Sequence, residues 1–130
     1  MDNKKYLQDY ARQKFICIAW EDTKAAALKE LDSLPPKAFY NNASQAERNL
    51  IRTLRQTIAA CETRSAEARR KCEEIRAAVD GVQDLRQRAI LQMRYLQDPP
   101  ETWERIADKL GYTFEHCHNL HRQALENITP

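Results

Sequence analysis

The segments Arg88-Ala-Ile-Leu-Gln-Met-Arg-Tyr95, Thr102-Trp-Glu-Arg-Ile-Ala-Asp-Lys-Leu110-Gly111 and Thr113-Phe-Glu-His-Cys-His-Asn-Leu-His-Arg-Gln-Ala-Leu-Glu-Asn-Ile128 decide the fold. The first puts its apolar residues on one side of a helix. Asp98-Pro99-Pro100 stops it, because proline lacks an N–H and disfavours helix in the residue before it. Thr102 is the expected N-cap of a two-turn helix ending at Leu110. Gly111 supplies a turn where positive φ is needed, and Thr113 caps a longer helix running to Ile128. A short helix, a tight glycine turn and a longer second helix predict a helix-turn-helix, the arrangement that lays a recognition helix in the major groove of DNA.

Working outward, Asp84 is a plausible N-cap for the helix before the motif, and Asp80-Gly81 marks the break ahead of it. Upstream, Tyr6 to about Leu34 reads as a first helix, with Leu7, Ala11, Phe15, Ile18, Ala25 and Leu28 as a rough apolar stripe. Pro35-Pro36 ends it. Ser44 and Glu47 then form a capping box. From there Ile51, Leu54, Ile58, Cys61, Ala68, Cys72, Ile75, Val79 and Val82 recur at alternating spacings of three and four, interrupted only by Ser65. That is a heptad seam on a long helix, which needs a partner against it. The expected fold is all-α. A long antiparallel helical hairpin or coiled coil over 1–80 precedes a helix-turn-helix domain over 81–130. The first helix is shorter than the second, so part of the seam is expected to remain for a second subunit, giving a homodimer or higher homo-oligomer.

Composition agrees with this class. The chain has 130 residues, two of them Gly and five Pro, which suits helices. No apolar run approaches the ~18 residues of a membrane span, and nothing near the start reads as a signal peptide. Cys17, Cys61, Cys72 and Cys117 are scattered without a Cys-x-x-Cys pair, as in a reduced cytoplasmic protein. His116, Cys117, His118 and His121 invite a metal reading. Zinc needs four ligands in a closed site, however, and the helical register already assigns Cys117 to the core, so no metal or cofactor is expected. No phosphate loop, nucleophile–base pair or carboxylate pair stands out, so the sequence does not read as an enzyme.

Ile90-Leu91-Gln92-Met93-Arg94-Tyr95, Thr102-Trp103-Glu104-Arg105-Ile106-Ala107 and Ala124-Leu125-Glu126-Asn127-Ile128 resemble strings of sigma-factor region four, the promoter-reading C-terminal domain. The chain as a whole resembles small phage and prophage proteins in which a long helical segment precedes this one domain. The resemblance implies a transcriptional regulator that binds double-stranded promoter DNA in the bacterial host cytoplasm, with RNA polymerase as a possible further partner. Two other readings remain: a phage DNA-packaging recognition subunit, and an adaptor that binds polymerase or sigma but not DNA.

On the second helix of the motif, Cys117, Leu120, Ala124 and Ile128 form the inward face. Glu115, His118, Asn119 and Arg122 are left outward. Asn can pair bidentately with adenine, Glu can accept from cytosine, and Arg can reach guanine or a phosphate. Thr102, Thr113 and Arg94 are expected to hold the DNA backbone, which fixes register without reading sequence. His116 and His118 stand where sigma factors tend to place arginines; both read as exposed, so protonation should tighten binding as pH falls. Charge weighs on the other side. Residues 1–80 carry 15 basic and 12 acidic groups but residues 81–130 only 6 and 7, and DNA affinity rests largely on neutralised phosphates. The domain is therefore expected to need a partner or a dimer.

Overall fold

The computed structural model describes residues 2–130, and among them there is no strand. Helices α1 (Asn3–Asp32) and α2 (Gln45–Asp80) are followed by α3 (Leu85–Leu91), α4 (Trp103–Leu110) and α5 (Phe114–Glu126). A 3-10 turn, Pro36–Phe39, lies between α1 and α2, and a π-helical turn, Gln92–Leu96, extends α3. No helix among the described residues is long and apolar enough to cross a membrane.

Local chemistry sets the helix ends. At the start of α2, Glu47 N–H donates to Ser44 Oγ and Ser44 N–H to Glu47 Oε1, both at 3.1 Å, which is the expected capping box. Ser44→Ala should cost about 0.5–2 kcal/mol, read from a urea denaturation midpoint. An unchanged midpoint would mean the cap contributes nothing. Asp84 caps α3 by accepting from Arg86 N–H and Gln87 N–H, as anticipated.

Contacts group the chain into two compact units: the chain up to Lys14 together with Arg70–Pro130, which crosses residue 80, and Phe15–Arg69. In Phe15–Arg69, the parts of α1 and α2 run antiparallel, with ion pairs Glu21–Arg69 and Lys24–Glu62 (3.1 Å) and the Arg64 guanidinium 4.8 Å from the Trp20 ring. Such exposed pairs are worth little. Stability comes from the buried row Ala27, Ile51, Leu54, Cys61, Ser65 and Ala68, with Ala38 and Ala43 from the connection.

The stripe expected on α1 is corrected here. Phe15 is 72 % exposed, and Ile18 and Leu28 are also exposed, while the buried row runs through Ala27 with half-buried Cys17, Trp20, Lys24 and Leu31. The seam of α2 is corrected too. None of its positions is left open for a second subunit, for all are buried or, at Ile58 and Cys72, half-buried within the single chain.

The other unit has two apolar clusters. One gathers Leu7 and Tyr10 of α1, Ile75 and Val79 of α2, Val82, Leu91, Tyr95, Leu96, and Ala124 and Ile128. This covers the end of the α2 seam that a shorter α1 was expected to leave bare. The second cluster is the core of the helix-turn-helix: Ile90, Ile106, Ala107, Cys117 and Leu120, with Trp103 packed against it. Asn3 Nδ2 donates to the Leu125 carbonyl at 2.7 Å, a stronger partner than the Ile128 N–H at 3.4 Å for a carbonyl in the last turn of α5.

Candidate nucleic-acid interface

α4 is capped at its start by Thr102, whose Oγ1 accepts from Arg105 N–H. It ends at Gly111, whose φ of 70° is the left-handed conformation that glycine tolerates best. The chain then enters α5 through Thr113, whose Oγ1 accepts from His116 N–H at 3.1 Å. Both threonines thus have the capping role read from the sequence. The inward face of α5 is also as expected: Cys117, Leu120, Ala124 and Ile128 are all buried.

Glu115, His116, Asn119 and Arg122 are exposed on α5. Arg122 Nη2 donates to Asn119 Oδ1 at 3.2 Å, which pre-orients the amide. Among the described residues the amide has no other side-chain partner, which leaves the second lone pair and both Nδ2 protons for bidentate adenine pairing. His116 meets the Tyr112 ring edge-on, centroids 4.7 Å apart.

His118 departs from expectation. It is half-buried, its ring lying 4.4 Å from Trp103 and 4.3 Å from Phe114, and its Nε2 is sealed without a hydrogen-bond partner among the described residues. The aromatic residues at 103 and 114 draw it inward, so of the two histidines read as exposed only His116 faces solvent. Phe114 was not singled out in the sequence and is a further candidate. It opens α5 and is 54 % exposed, so it presents an apolar ring suited to a thymine methyl group. The signal was an aromatic at the first helical position with no place in the core pattern.

Arg94, expected to hold the DNA backbone, has partners within the domain. It is half-buried, Nη1 donates to the Glu101 carbonyl at 2.9 Å, and the guanidinium lies 5.1 Å from the Trp103 ring centroid. It ties the end of α3 to the entry of α4. Glu101 is a second tie, pairing with Lys109 at 2.8 Å and Arg105 at 3.3 Å. The hydrogen bond from Lys109 comes first among the causes that hold its carboxyl below the usual range. Several cations of 81–130 are therefore engaged inside the domain. Four others reach this unit from the start of α1, where Lys4, Lys5, Arg12 and Lys14 outnumber Asp2 and Asp9.

His121 belongs to the core. It is 8 % exposed, its Nε2 lies 2.7 Å from Tyr95 Oη, and its ring meets Trp103 edge-on. Burial, reinforced by the nearby His118, Lys4 and Arg94, pushes its pKa down to about 4. The folded state thus keeps the imidazole neutral, whereas the unfolded chain protonates near ~6.5. Stability from this site is complete above that value and declines as pH falls from about 6.5 to about 4, by roughly 3 kcal/mol in full. His121→Gln should flatten that part of the stability-against-pH curve; a curve with unchanged slope would show that another group titrates. Among the described residues no group of three or more His, Cys, Asp or Glu side chains is placed to hold a metal.

Two short helices joined by a left-handed glycine, the second presenting an exposed polar face, define a helix-turn-helix of the DNA-binding type. Residues 84–128 match the family model of Sigma-70, region 4. The match covers the C-terminal third of the chain and takes in α3, α4 and α5 entire. No curated protein and no solved structure matches the chain.

Proposed function

We propose that the protein is a transcriptional regulator of phage or prophage type that contacts promoter DNA through α5. The observation that carries this is the coincidence of the Sigma-70 region 4 match with an exposed face of Glu115, Asn119 and Arg122 on the second helix of the motif. Asn119 and Arg122 read base edges, Phe114 meets a thymine methyl, and Thr102, Thr113 and His116 lie against the backbone. Few cations are free in 81–130, so the domain binds weakly alone and relies on a partner, for which RNA polymerase is the proposal. A gel shift at low salt with random duplex and with promoter duplex tests it. Preferential retention of the promoter duplex supports it, and failure to shift either would favour the adaptor that binds protein alone.

Self-association, expected along the α2 seam, moves to α1, where Phe15, Ile18 and Leu28 are exposed at helical spacing. Phe15→Glu with Ile18→Glu should reduce the mass seen by light scattering to that of one chain, because a charge in an apolar interface is left desolvated. A parent protein that is already monomeric at high micromolar concentration would contradict it.

A further inference from the structure

The unit Phe15–Arg69 contains an open cleft that the helix-turn-helix does not use. Its volume is about 780 Å³, and it lies between the segment Ala38–Asn41 and the first turns of α2. Arg48, Arg52 and Arg55 line it from positions three or four residues apart, hence from one face of the helix. Phe39 and Tyr40 line it from the other side, 46 % and 67 % exposed. Arg48 Nη2 donates to the Asn41 carbonyl at 2.7 Å, pinning the aromatic-bearing segment to α2. Arg52 and Arg55 have no ion-pair partner among the described residues. Glu47, the one carboxylate between Lys37 and Ala59, faces back to the Ser44 N–H and is not part of the lining.

Unpaired guanidinium groups and exposed aromatic faces in one cleft ask for a ligand with both an anion and a flat ring. An acidic peptide would satisfy the arginines and leave the rings in water. A bare inorganic anion would do the same. A nucleotide satisfies both, with its base on an aromatic face and its phosphate on arginine, the combination by which single strands are held without sequence preference. The volume falls within the range of about 300–1,000 Å³ typical of small-ligand sites, enough for one or two nucleotides. We propose that this cleft binds single-stranded nucleic acid, with a base stacked on Tyr40 or Phe39 and adjacent phosphates on Arg52 and Arg55. Arg48 positions the aromatic segment. The site is independent of the duplex-reading role given to α5.

The test is fluorescence anisotropy of a labelled single strand of about eight nucleotides with the full-length protein at low salt. Saturable binding is expected. Tyr40→Ala should weaken it by roughly fivefold or more, the effect of losing one stacked base, and Tyr40→Phe should restore it. Arg52→Gln with Arg55→Gln should weaken it by about tenfold or more and lower its salt dependence, with helicity by circular dichroism unchanged. Asn119→Ala and Arg122→Gln should leave it intact, which separates this site from α5. Absence of binding, or binding indifferent to Tyr40, Arg52 and Arg55, would overturn the proposal. Displacement by adenosine monophosphate at equal concentration would make the ligand a free nucleotide, and displacement by a polyglutamate peptide would make the cleft a surface for any anion. Either result also overturns it.

Discussion

Residues 81–130 expressed alone should fail to unfold cooperatively, and in the intact protein Leu7→Ala should lower stability by about 2–5 kcal/mol. Leu7 is fully buried and lies in the same cluster as Leu91, Tyr95, Ala124 and Ile128, so its methyl groups fill space in the C-terminal domain itself. Without the start of α1 and the end of α2, that side of α5 would face water. Asn3 would also no longer cap the Leu125 carbonyl. The expected measurement is a urea or thermal transition followed by near-ultraviolet circular dichroism. The isolated segment should give a broad, non-cooperative loss of signal. A sharp transition with a midpoint near that of the full chain would show that the helix-turn-helix is self-sufficient.

Asn119→Ala combined with Arg122→Gln should weaken preferred duplex by about a hundredfold or more, the product of two lost base contacts at about 1–3 kcal/mol each. The two side chains are joined by a hydrogen bond in the free protein, so the single substitutions should not add simply. The salt slope should also change by about one unit if Arg122 meets a phosphate, and stay fixed if it meets guanine. Binding equal to the parent would mean that α5 is not the reading helix. Neither residue is in the core, so stability should change little.

The motif itself was legible because local chemistry determines it. Thr102, Gly111, Thr113, Asp84 and the Ser44/Glu47 box each act on their own few residues, and each cap is found where the sequence put it. Long-range choices were less visible. α1 carries apolar side chains on two faces, and the face that packs includes Gln13, Lys14 and Lys24 while the face that does not includes Phe15 and Ile18. Periodicity alone favoured the more apolar of the two. The pairing of the start of α1 with α5 lies over 120 residues apart in sequence, as the Asn3–Leu125 bond shows, and nothing local announces it. At the candidate site, the exposure of Glu115, Asn119 and Arg122 followed from helical register. The inward turn of His118 and the clamp made by Arg94 did not, because both depend on where Trp103 lands after the Asp98-Pro99-Pro100 segment.

The most direct test of the central claim is to titrate the full-length protein with promoter duplex while following backbone amide resonances by NMR. The largest shifts are expected at Phe114, Glu115, His116, Asn119 and Arg122, with smaller ones at Thr102 and Thr113 and none among the buried residues of the Phe15–Arg69 unit. Shifts that spare α5, or a duplex that perturbs no resonance while the protein remains folded, would contradict the assignment of a DNA-reading helix to this chain.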